Sequence, residues 1–206
     1  MFDFQKINLK KEIKNLEKLS VKERGVGIKF LKDYLKEQRG EKGLKRVEEE
    51  LKKNNYKLID IDKIDDMDWI LSKITIIYFL AVAKVFNLKK QDAVSLGEDV
   101  VLSTSTLAKV FIKYFLSTES TIKRAASTWR NFYSKGRVVV KEINKKKKFV
   151  ILQLKNVNRH PAVCAYDEGV FVKIVEIATG WKDIKVEETK CFFEGDQYHE
   201  FIISGK

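Results

Sequence analysis

The residues best suited to chemistry lie near the C-terminus. The chain has 206 residues but only two cysteines and two histidines, and His160, Cys164, Cys191 and His199 all fall beyond residue 159. Thiolate and imidazole suit zinc, so Cys164, Cys191 and His199 form a candidate ligand set, with His160 or Glu188 as the fourth donor. Cys164 follows Pro161 in the first turn of a predicted helix, where the helix dipole favours the metal-binding thiolate. Cys191 and His199 stand on two arms of a predicted hairpin, KCFFEGDQYHE. A three-residue loop at 194–196 places them directly opposite; a two- or four-residue loop places them on opposite faces. The plain alternative is two small buried thiols and a surface histidine, since the cysteines lack CxxC spacing.

Other chemistry has no recognisable apparatus. The sequence contains no GxSxG, P-loop, dinucleotide fingerprint or HExxH, and nothing marks an oriented base or oxyanion site beside a cysteine. Asp65, Asp66 and Asp68 read as a turn and a helix cap, and Glu48–Glu50 as a solvated helix face. No catalytic residue is assigned, and an enzyme is not expected.

The elements that must position these donors come in two blocks. Helical spacing runs through Ile7, Ile13, Leu16 and Leu19; Ser20 and Glu23 have the form of a capping box before a helix carrying Ile28, Leu31 and Leu35. That helix stops near Gly40, and another covers residues 43–53. Asp68 is placed to cap an apolar helix over residues 69–86. A long helical pattern spans residues 91–116, and Thr118 or Ser120 caps a last helix with Ile122, Ala125, Ala126, Trp129, Phe132 and Tyr133. After Gly136 the period changes to that of strands: RVVVKEI and KFVILQL flank Lys145–Lys148 as a hairpin, and Pro161 opens a helix ending at Gly180. Gly169 inside that helix implies close packing against a neighbour or a ligand. The prediction is an α+β chain, with a helical part at 1–135 and an antiparallel four-stranded β-β-α-β-β part at 136–206, forming one compact domain.

Composition sets the wider limits. The formal charge is +12, and residues 120–160 carry twelve basic side chains against Glu142 alone. Such a field suits acidic partners, so an adaptor for nucleic acid or an acidic protein is one alternative; the lysine run is also ordinary for an exposed turn at a strand edge. The N-terminus shows no signal-peptide pattern, and the apolar stretch 69–86, interrupted by Lys73 and Lys84, is short for a membrane span. Two cysteines without a secretion signal point to the cytoplasm.

The second half resembles the vinyl-4-reductase domain family, which shares a fold with haem–nitric-oxide-binding domains and TRAPP tethering subunits. The resemblance is carried by His160-Pro161, Cys164, Gly169, Gly180, Glu188-Thr189-Lys190-Cys191, Gly195-Asp196 and His199-Glu200-Phe201, with His199 where the family usually has cysteine. It implies a pocket for an apolar or tetrapyrrole-like ligand, a metal at the cysteines, and a homodimer. It does not lead us to expect haem, because the helical proximal histidine and Tyr-x-Ser-x-Arg motif of the haem-binding relatives are missing before residue 160. Ile76, Phe79, Trp129, Phe132, Phe171 and Phe192 are the pocket candidates. The resulting expectation is a non-enzymatic protein that binds or senses an apolar small molecule, with zinc or a redox-poised thiol pair at its cysteines. An accessory enzyme on a tetrapyrrole-like substrate is the remaining alternative.

Overall fold

The computed structural model describes residues 2–103 and 129–206. The expected helical positions Leu107, Val110, Phe111, Tyr114 and Phe115 lie outside them. So do the caps at Thr118 or Ser120 and the helix positions Ile122, Ala125 and Ala126. The chain forms two compact units, Phe2–Asp92 and Ala93–Lys206. The architecture is α+β, with an antiparallel four-stranded sheet.

In the first unit, α1 (Leu9–Leu16) starts where the Asn8 side chain accepts from the Lys11 amide. The capping box expected at Ser20–Glu23 does not form. Lys22 and Glu23 lie in β1 (Lys22–Arg24), which pairs antiparallel with β2 (Trp69–Leu71). The carboxylate of buried Glu23 accepts instead from the Ser72 hydroxyl at 2.5 Å, a partner 49 positions away that no local pattern reveals. Helix α2 (Val26–Lys53) breaks at Gly40, whose φ of 66° is favourable only without a Cβ. Asp68 accepts from the Asp65 amide and so closes the turn before β2, four residues ahead of α3 (Ser72–Phe86). Every residue from Ile76 to Ala83 is buried, as α3 packs on α1 and α2. No helix among the described residues is long and apolar enough to cross a membrane.

In the second unit, β3 (Arg137–Asn144) and β4 (Phe149–Lys155) form the expected hairpin around the exposed Lys145–Lys148 turn. Helix α5 (Ala162–Thr179) follows, then β5 (Lys185–Lys190) and β6 (Tyr198–Ser204), giving sheet order β3-β4-β6-β5. Phe171 and Val175 of α5 pack on Leu152, Leu154, Phe201 and Ile203 of the sheet. Helix α4 (Lys90–Ser103) crosses α5 through two glycines. A Cβ on Gly97 would stand 2.1 Å from the Tyr166 carbonyl oxygen, and one on Gly169 1.9 Å from that of Val94. The packing inferred for Gly169 is therefore backbone against backbone, with a neighbouring helix.

Candidate functional site

The donor atoms of Cys164, Glu188, Cys191 and His199 all lie within 4.8 Å of one another. His199 Nδ1 is 2.8 Å from Glu188 Oε1 and 3.8 Å from Cys164 Sγ. Three elements supply them: Cys164 comes from the first turn of α5, Glu188 and Cys191 from β5 and its end, and His199 from β6.

A strand irregularity makes this convergence work. In a regular strand, residues 188 and 191 point to opposite faces. Here Glu188 pairs with Phe201 while Lys190 pairs with Glu200, so Thr189 is an extra residue outside the ladder register, its hydroxyl bonded to Glu200. The bulge reverses the alternation. Glu188 shares the α5-facing side with Phe201, Lys190 turns to the other side, and Cys191 returns to meet His199. The connection from Cys191 to β6 is a 3-10 turn, Phe192–Glu194, held by the Asp196 carboxylate accepting from the Cys191 amide at 2.9 Å.

The group of four donors contains Glu188 and does not include His160. The His160 Nδ1 accepts from the Ala162 amide at 3.1 Å, at the start of α5. The expectation of a lowered Cys164 pKa is also corrected: burial first, then the charges of Glu188, Cys191 and Asp167, hold its thiol far above the usual range. Burial likewise raises Cys191. The dipole of α5 loses because desolvation penalises the thiolate more than one helix turn can repay. A divalent cation reverses that balance, since it bonds the thiolate directly.

The site is walled by aromatic rings. Phe193 and Phe201 lie 5.6 and 6.4 Å from the His199 imidazole, which is 3% exposed. Phe192, a pocket candidate, is 38% exposed at 6.4 Å from the same ring. Trp129 and Phe171 are buried in the apolar core of the second unit, and Phe132 is half-buried. Ile76 and Phe79 are buried in the first unit, where Phe79 meets Phe4 at 6.2 Å.

Sequence reasoning missed Arg159 and Asp167, a buried ion pair with Arg159 Nη2 2.7 and 2.6 Å from the two carboxylate oxygens. The only available signal was the three-residue spacing from Cys164 to Asp167, which places both on one helix face.

No protein-family model matches the chain, and no curated protein matches it in sequence. Solved structures do. An H-NOX protein from S. oneidensis in its Fe(II)NO ligation state superposes with a TM-score of 0.65 at 13% identity, covering 89% of this chain and 99% of that one. The chain has the H-NOX fold. An Fe(II) unliganded H-NOX mutant from K. algicida gives 0.62 at 13% identity, over 89% and 96% of the two chains. A structure described as probing heme distortion in the H-NOX family gives 0.60 at 15%, over 89% and 95%. The resemblance to haem–nitric-oxide-binding domains thus holds for the fold, while nothing supports the vinyl-4-reductase name. The expectation that set haem aside is overturned, because the solved proteins sharing the H-NOX fold are described in iron-ligated and heme-distorted forms. Missing local motifs were a poor guide at 13–16% identity, where few side chains correspond.

Proposed function

We propose that the chain is a non-enzymatic small-molecule-binding sensor on the H-NOX fold, with a closed zinc site at Cys164, Glu188, Cys191 and His199. The observation that carries the zinc reading is the approach of two thiols, an imidazole and a carboxylate to within 4.8 Å, from three separate elements. Zinc–sulfur and zinc–nitrogen bonds of about 2.3 and 2.0 Å imply tetrahedron edges of roughly 3.3–3.8 Å. Metal binding would therefore open the His199–Glu188 contact, now 2.8 Å, by about half an ångström, and draw the most distant donors, up to 4.8 Å apart, inward by about one. With four protein donors and a phenylalanine wall, no coordination position is left for substrate. This suits a structural ion that pins α5 to the β5–β6 hairpin.

The likeness to H-NOX structures supports the choice of small molecule. A tetrapyrrole is the ligand class that the H-NOX neighbours bring forward, and haem is the first member to test. The protein is read as cytoplasmic and dimeric.

The test is elemental analysis and native mass spectrometry of untagged protein, followed by titration with hemin. One zinc per chain, removed by Cys191→Ser or His199→Ala, is expected. Stoichiometric hemin binding with a shifted Soret band is the expected ligand signature. Protein that is folded and free of metal removes the zinc site; hemin that binds no better than it does to albumin removes the tetrapyrrole ligand.

A further inference from the structure

Arg159 and Asp167 are 7% and 6% exposed and bonded only 2.6–2.7 Å apart. Burying such a pair costs desolvation, so stability alone is a weak reason for its presence. Its two members have different surroundings. Asp167 lies one turn after Cys164 on α5, in the electrostatic reach of His199 and Glu188. The Arg159 guanidinium lies 4.5 Å above Tyr133 and 5.5 Å above Trp129, whose own rings stack at 4.3 Å. The Trp129 indole N–H donates to the Lys135 carbonyl at 2.9 Å, tying the stack to the chain that enters β3.

We propose that Asp167 and Arg159 are positioning residues that couple occupancy of the four-donor site to the Trp129–Tyr133 stack. The inference rests on the metal reading above. A bound ion draws Cys164 Sγ toward the sheet donors. Cys164 and Asp167 share one helical turn and move together. Asp167 cannot leave Arg159 without stranding a buried charge, so the guanidinium follows and shifts over the two rings. The pair thus carries a change at the metal to the start of the sheet, some 30 residues back along the chain.

The experiment uses full-length protein with Trp69→Phe and Trp181→Phe, leaving Trp129 as the sole indole. Zinc is removed with a chelator while metal content and Trp129 emission are followed together. Emission should change in step with zinc release. Asp167→Asn and Arg159→Lys should each weaken zinc binding about tenfold and cut the emission response by at least half, with far-UV circular dichroism unchanged. Arg159→Lys keeps the charge and so serves if Asp167→Asn fails to fold. Zinc that is bound and released without any Trp129 response overturns the coupling and leaves the metal site standing, as does parental affinity and response in both variants. Folded protein that never holds zinc overturns both.

Discussion

Glu188 in β5 and Cys191 just past its end are three residues apart and yet face the same side of the sheet. The paired register is Glu188 with Phe201 and Lys190 with Glu200, and the unmatched Thr189 between them supplies the half-turn of alternation. Without that bulge the carboxylate and the thiol would stand on opposite faces, and His199 would meet only one of them.

The donor set predicts a graded pattern of metal retention. Cys164→Ser and Cys191→Ser should leave almost no zinc and lower the melting temperature of the zinc-supplemented protein to that of the metal-free parent. His199→Cys should keep one zinc per chain, because thiolate fills the same tetrahedral corner. Loss of zinc in His199→Cys, measured by plasma mass spectrometry, would argue that the imidazole has another role.

Removing the metal should make stability sensitive to alkali. Burial holds the Cys164 thiol well above its ordinary 9.0, so the folded metal-free protein keeps a proton that the unfolded chain releases. This contribution is complete below about pH 9 and is lost progressively as the pH rises above it. Urea midpoints of metal-free protein should fall between pH 8 and 10.5, and less steeply in Cys164→Ala. Parallel slopes would contradict the assignment.

Zinc affinity should move the opposite way over the neutral range. Both thiols are held protonated by burial, so binding must release protons, and competition with a chelator of known affinity should show tighter binding at pH 8 than at pH 6.5. A pH-independent constant would mean that the thiols are not ligands.

The glycine crossing predicts a large effect from a single methyl group. Gly169→Ala sets a Cβ against the Val94 carbonyl, and Gly97→Ala one against that of Tyr166. Backbone cannot yield as a side-chain tip does, so each should cost about 1–3 kcal/mol despite alanine's better helix propensity. Thermal melts by circular dichroism check this, and an unchanged or raised melting temperature would refute the close crossing.

Much of the architecture was legible from local pattern alone. Apolar period separates α5 from the strands on either side of it, the lysine run marks the β3–β4 turn, and a glycine inside a helix announces a close neighbour. These are properties of adjacent residues, and short-range sterics and hydrophobic spacing decide them. The candidate donors could likewise be named from residue type, because cysteine and histidine are so few here. What the chain could not reveal locally was set by register and burial. That Glu188 stands in the four-donor group and His160 does not depends on the bulge at Thr189 in β5 and on an imidazole nitrogen that accepts from the Ala162 amide. The thiol pKa follows the depth of the site, against the helix dipole that the sequence suggested. Glu23 finding Ser72, and Arg159 finding Asp167 and two aromatic rings, are contacts between distant positions. Only three-dimensional packing, which must satisfy every charge it buries, could decide them.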